Sequence, residues 1–130
     1  MILDTTFLID LLDGLPEAVN KMKELYEQQE QLLVATPSVF ELWTGVARSD
    51  LPEKERRKVK MVLESQLVLD LTESSAEEAG MINGTLWKKG IPIDAEDCMI
   101  AGVALQHHQL VLTRNVQHFG RIQGLYLATY

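Results

Sequence analysis

The sequence predicts an α/β fold, an α/β/α sandwich with a mainly parallel central sheet, and two observations lead there. Five short apolar runs recur along the 130 residues: Met1-Ile2-Leu3, Leu32-Leu33-Val34-Ala35, Leu67-Val68-Leu69, Leu110-Val111-Leu112-Thr113 and Leu125-Tyr126-Leu127-Ala128. Between them lie longer segments whose apolar residues recur at helical spacing. Short apolar strands alternating with amphipathic helices imply a parallel sheet covered on both faces. The length suits one domain over residues 1–130, enough to bury about two-thirds of the unfolded chain's surface.

Each element has a local reason. Asp4 stops the first run, and residues 6–13 read as a short helical turn ended by Gly14 before Pro16. From 17 to 29, Val19, Met22, Leu25 and Tyr26 recur on one helical face. Thr36-Pro37-Ser38 is a helix start with an early proline, continued by Val39, Leu42, Trp43, Val46 and Ala47. Pro52 opens another helix, to about Glu64, and residues 74–89 form the next, with Ser74 or Ser75 as cap. Gly90-Ile91-Pro92-Ile93 is a loop before a helix over 94–107, striped by Ile100, Ala101, Ala104 and Leu105. Residues 114–122 form an irregular connection with a short turn into the closing strand.

Composition narrows the class. Hydrophobic residues at 46% and charged residues at 24% exclude a disordered chain. A single cysteine, Cys98, excludes an internal disulfide or a cysteine-built zinc knuckle, and reads as a small buried hydrophobe. No uncharged apolar run reaches the roughly 18 residues of a membrane span, and no signal-peptide layout opens the chain, so a cytoplasmic protein is expected. The net charge of −7 is unusual for a protein that grips nucleic acid by neutralising phosphate. Such a protein needs bound metal ions or a local basic patch, and Lys54-Glu55-Arg56-Arg57-Lys58-Val59-Lys60 is one, unless it is a solvated helix face.

Ligands of an open parallel sheet bind beyond the carboxyl ends of its strands. Asp4 ends the first strand, Glu41 lies a turn into the helix after the second, and Asp97 lies in the first turn of the helix before the fourth. Thr113 and Asn115 end that fourth strand. Ser38, Thr44 and Gly45 leave room beside Glu41, and Asp97 heads the apolar stripe of its helix. Asp4 and Asp97 taken singly read equally well as helix caps. Carboxylates brought together repel and resist ionising unless a cation holds them. Oxygen donors, with no cysteine and no well-placed histidine, suit a hard ion, Mg²⁺ or Mn²⁺.

At these residues the chain resembles a PIN domain, and within that family the VapC-type toxin ribonucleases. The resemblance rests on Met1-Ile2-Leu3-Asp4-Thr5-Thr6-Phe7-Leu8-Ile9-Asp10, on Thr36-Pro37-Ser38-Val39-Phe40-Glu41-Leu42, and most of all on Gly90-Ile91-Pro92-Ile93-Asp94-Ala95-Glu96-Asp97-Cys98-Met99-Ile100-Ala101. It continues through Leu110-Val111-Leu112-Thr113-Arg114-Asn115, Phe119 and Gly124-Leu125. It implies a Mg²⁺-dependent endoribonuclease, with Mn²⁺ as a substitute, that hydrolyses RNA phosphodiesters by metal-activated water. The family's acids fall on Asp4, Glu41 and Asp97 as catalytic and metal-binding residues. Asn115 stands where a fourth acid is frequent, and His118 where another acid often precedes the phenylalanine, so a second metal position lacks a charge. Thr5, Asp94, Thr113 and Asn115 are expected in support, and Arg114, Lys54, Arg56 and Arg57 against the RNA backbone. The implied partners are a cognate antitoxin with a basic segment in the acidic cleft and a second copy of the chain.

The rivals are weaker. An aspartyl-phosphate phosphatase wants Asp-x-Asp, but position 6 is Thr; a receiver domain wants a lysine after the last strand, and none follows Lys89. The alternative that stays open is a catalytically weak or inactive PIN-fold binding module. Its acidic cleft would hold a basic partner segment. His107 and His108 diverge on a helix and make no metal pair, and Trp43 and Trp87 are assigned to core or interface.

Overall fold

The computed structural model describes residues 1–130 and contains five short strands and seven helices. β1 (Ile2–Leu3) is followed by α1 (Thr5–Leu12) and α2 (Pro16–Glu27); β2 (Leu33–Ala35) by α3 (Thr36–Arg48) and α4 (Pro52–Glu64). β3 (Leu67–Leu69) leads to α5 (Glu73–Lys88) and α6 (Ala95–Gln106), then β4 (Val111–Leu112), α7 (Val116–Phe119) and β5 (Leu127–Ala128). The strands form one all-parallel sheet in the order β3-β2-β1-β4-β5. Ile2 stands between Leu33 and Val111, and Leu3 pairs with Leu112.

Side chains alternate across a strand, and here the alternation sorts two cores. Ile2, Leu33, Ala35 and Val111 face one layer with Ala79 and Leu86 of α5, Ile100 and Val103 of α6, and Phe119 of α7. Leu3, Val34 and Leu112 face the other, with Phe7, Met22, Leu25, Leu42, Val46 and Val59 from the first four helices. This is the α/β/α sandwich expected from the sequence.

The departures lie at boundaries and edges. β3 is an edge strand that leaves Leu67 and Val68 exposed, because no neighbour lies beyond it. The cap of α5 is Thr72, not Ser74 or Ser75; Thr72 and Ser75 bond each other's backbone N–H reciprocally, so Ser75 is the other half of the box. Asp94 precedes the first turn of α6 but makes no side-chain cap hydrogen bond. Trp87 is 66% exposed, which removes core and leaves interface of the two readings, whereas Trp43 packs against the apolar cluster. α5 and α6 approach closely at Gly102, where an added Cβ would fall 2.4 Å from the Ser75 carbonyl oxygen. That contact fixes α6, and with it Asp97. No helix is long and apolar enough to cross a membrane.

Candidate active site

β2 and β3 extend the sheet to one side of β1, while β4 and β5 extend it to the other. The chain reverses direction of growth between β1 and β4, which places the ligand crevice outside their carboxyl ends. Asp4 follows β1 and Thr113 follows β4. Their side chains meet there: Thr113 Oγ1 donates to Asp4 Oδ2 at 2.7 Å.

Asp4 is 1% exposed and fully engaged. Its Oδ1 accepts from the Thr5 amide at 2.7 Å, and its Oδ2 also accepts from Thr6 Oγ1 at 2.6 Å. A carboxylate buried with three donors keeps one orientation. It is therefore both a helix cap and a fixed member of the rim.

The second acid is tied to the first through one residue. Thr5 Oγ1 donates to Glu41 Oε1 at 2.7 Å and lies 2.9 Å from Ser38 Oγ. Burial pushes the Glu41 carboxyl above its ordinary value; the Thr5 hydroxyl opposes this, and the charges of Asp4, Glu96 and Asp94 add to it.

The third acid is the most perturbed. Asp97 sits in the first turn of α6, and burial pushes its carboxyl up to about 6, reinforced by the charge of Asp4. The nearby His118 works against that shift, and the charges of Asp94 and Glu41 work with it. Asp97 Oδ2 lies 3.4 Å from Asn115 Nδ2 and 3.4 Å from His118 Nδ1. Asn115 is held in turn, its backbone N–H donating to Thr113 Oγ1 at 2.9 Å.

Asp4, Thr5, Glu41, Asp97, Thr113 and Asn115 are thus linked by hydrogen bonds and mutual charge effects, and Asp94 joins them. One ligand atom each of Asp94, Asp97 and His118 lies within 4.8 Å of the others. Carboxylate oxygens from three places, the end of β1, α3 and the start of α6, fit a divalent cation, whose charge would offset the burial and the mutual repulsion that raise Glu41 and Asp97. The expectation of no well-placed histidine needs correction. Asn115 and His118 are three apart, so the single turn of α7 turns both toward Asp97, a spacing visible in the sequence.

The basic residues are less gathered. Arg114 pairs with Asp10 Oδ2 at 2.6 Å and lies over the Tyr130 ring, beside the rim rather than free. Arg56 lies 3.8 Å from Glu53 and covers Trp43, while Lys54 and Arg57 stand exposed on α4 without an ion pair. A cleft of about 590 Å³ opens beside Glu41, with Thr5, Glu41 and Glu96 at its acidic end and Phe40 and Arg48 among its other walls. Sequence reading singled out neither Arg48 nor the exposed Phe40; their seven- and one-residue offsets from Glu41 were the available signal.

Comparison with known proteins agrees with this arrangement. The PIN domain family model matches residues 1–125. The chain is 30% identical over 123 residues to the tRNA(fMet)-specific endonuclease VapC of Salmonella typhimurium, covering 95% of this chain and 92% of that one. It is 28% identical to the protein of the same name from Shigella flexneri over the same shares. The crystal structure of DNA-bound VapBC from Salmonella typhimurium superposes with a TM-score of 0.88 at 29% identity, over 98% of this chain and 96% of that one. The all-parallel sheet, the acids at its switch point and these likenesses agree: the chain belongs to the PIN domain family, with VapC ribonucleases as its relatives.

Proposed function

We propose that this chain is a divalent-metal-dependent endoribonuclease that hydrolyses RNA phosphodiesters, the toxin of a toxin–antitoxin pair. The observation that carries the proposal is the convergence of Asp4, Glu41 and Asp97 at the β1–β4 switch point, with the Asp97 carboxyl raised to about 6 by burial and by Asp4. Family relatives named as ribonucleases and endonucleases support the same chemistry.

Each residue has a distinct part in this reading. Asp4, fixed by Thr5, Thr6 and Thr113, and Asp97, with Asp94 beside it, hold the cation. A divalent ion held by these residues, Mg²⁺ or Mn²⁺, would lower the pKa of an attacking water and offset charge on the phosphate. Glu41 would orient that water and take its proton, a role suited to a carboxylate whose pKa burial raises above its ordinary value. Thr5 aims Glu41, and Asn115 steadies Asp97. Lys54, Arg57 and Arg48 hold the RNA backbone, and the exposed Phe40 offers a base a stacking face. Arg114, already paired with Asp10, contacts phosphate only by sharing that carboxylate.

A basic segment of a cognate antitoxin fits the same acidic rim and would compete with RNA, and two copies of the chain are proposed to associate. The test is cleavage of structured and single-stranded RNA by purified protein with Mg²⁺, with Mn²⁺ and with EDTA. Asp4→Asn/Asp97→Asn serves as control. Metal-dependent cutting that vanishes in the double variant is expected. No cutting by folded, antitoxin-free protein on a broad RNA panel would leave the binding-module reading in its place. Sedimentation of the same sample reports the number of copies.

A further inference from the structure

We propose that His118 is a metal ligand in this chain, its Nδ1 joining Asp97 and Asp94 around one cation and biasing the site toward Mn²⁺ over Mg²⁺. The inference rests on the nuclease reading above and adds a nitrogen donor to it. In place of an oxygen-only set, the rim presents two carboxylates and an imidazole whose ligand atoms all lie within 4.8 Å of one another.

Three features point the same way. First, the His118 Nδ1 to Asp97 Oδ2 separation of 3.4 Å exceeds the roughly 2.7–3.2 Å of a good N–H···O bond. It matches two neighbouring donors on one ion: at about 2.1 Å from the metal they stand about 3.0 Å apart at a right angle and about 3.4 Å apart at a tetrahedral one. Second, Asn115 Nδ2, as oriented here, is a donor 3.0 Å from His118 Nδ1 and 3.4 Å from Asp97 Oδ2. With the ring proton on Nε2, the neutral imidazole offers Nδ1 as a ligand atom at this point. Nδ1 and Oδ2 thus converge on one point, with neither held in a short hydrogen bond to the other. Third, Asp94 occupies the position before α6 where aspartate ordinarily caps, yet its carboxylate makes no cap bond and is one of the three clustered donors.

Imidazole changes which ion the site prefers. Mg²⁺ keeps to oxygen ligands and gives up its water reluctantly. Mn²⁺ shares the preference for oxygen but, as the first of the divalent transition series, also takes an imidazole nitrogen, and the later metals take it more strongly. Asn115 removes the charge of a fourth acid from this corner, and His118 compensates with a neutral donor that discriminates between metals. The same substitution lowers the negative charge crowding Asp97.

The experiment is Mn²⁺ binding by the full chain, followed by electron paramagnetic resonance with pulsed detection of coordinated nitrogen, and by competition with Mg²⁺. Wild type, His118→Gln, His118→Asp and Asp97→Asn are compared, with circular dichroism confirming that each is folded. The expected result is one bound Mn²⁺ with an imidazole nitrogen coupling, altered by ¹⁵N-histidine labelling and absent in His118→Gln. Preference for Mn²⁺ over Mg²⁺ should fall by at least about tenfold in His118→Gln and in His118→Asp. Mn²⁺ bound without nitrogen coupling would overturn the role of His118, as would a coupling that survives His118→Gln. If such protein still cuts RNA in a metal-dependent way, the nuclease reading stands alone. No Mn²⁺ binding by wild type, with no metal-dependent cutting, would overturn both.

Discussion

Asp97→Asn should destroy the proposed activity and stabilise the fold, and the two effects have one cause. Burial and the charge of Asp4 raise the Asp97 carboxyl from its ordinary 3.8 to about 6. The native state therefore binds its proton more tightly than the unfolded chain does, and ionising Asp97 works against folding. Stability from this group is full below about pH 4, falls as pH rises between about 4 and 6, and is lost above. The gap between 3.8 and about 6 corresponds to about 3 kcal/mol at full strength. The Asp97 side chain keeps 13% of its surface exposed, and solvent screening reduces this to about 1–2 kcal/mol. Asparagine keeps the shape and cannot ionise. In EDTA at pH 7.5 the variant should melt about 3–8 °C above wild type, with the gap closing toward pH 4. Saturating Mn²⁺ should reverse the order, because only wild type gains the free energy of binding. The assay is thermal unfolding by circular dichroism across that pH range, with and without metal. A variant less stable than wild type by the same margin at every pH would refute the reasoning, since Asp97 would then be held by its hydrogen bonds rather than strained by its charge.

Thr113→Val keeps the volume of a fully buried residue but removes the hydroxyl that donates to Asp4 and accepts from the Asn115 amide. Urea unfolding should show a loss of about 1–3 kcal/mol, with RNA cleavage reduced as well. Gly102→Ala forces a methyl to within 2.4 Å of the Ser75 carbonyl oxygen, and should destabilise by about 1–3 kcal/mol. Gly84→Ala, in α5 with nothing near the added carbon, should instead stabilise by about 0.5–1 kcal/mol in the same titration. Cys98 is 1% exposed and its thiol is pushed up to about 11 by burial and by the charge of Asp97, so native protein at pH 8 should resist iodoacetamide until denaturant is added.

The fold was legible because its strands are apolar on both faces and its helices are not. Ile2 and Leu3 face opposite layers, so both had to be apolar, and the run stops where Asp4 begins to serve the site. Helix starts were legible where proline marked them, at Pro37 and Pro52. The start of α5 was missed by a residue or two because Thr72, Ser74 and Ser75 are all capping residues, and only the reciprocal bond between Thr72 and Ser75 selects among them. Trp87 could be placed only as core or interface, because a helix face is apolar or not only relative to its packing partner, which α5 lacks within this chain on that side. The acids were legible because the strand ends are, and parallel sheets gather strand ends. His118 was read only as the absence of an acid, because α7, at four residues, is too short for a periodicity to show that the three-residue offset from Asn115 turns it toward Asp97.

The three acids of the proposed site differ in how far the chain itself satisfies them. Asp4 receives three hydrogen bonds, all from within the chain, at almost no exposure. Asp97 and Glu41 receive little and carry the repulsion. A rim whose acids all took as many internal hydrogen bonds as Asp4 would leave few lone pairs for a cation, while one whose acids all resembled Asp97 would protonate or open. Thr5 and Thr113 make the compromise possible. Each is a buried hydroxyl following a strand or opening a helix, and together they fix Asp4 and Glu41 without neutralising Asp97. The negative charge left at Asp97 is then the one that a metal ion, or a basic segment of a partner, has most to gain by meeting.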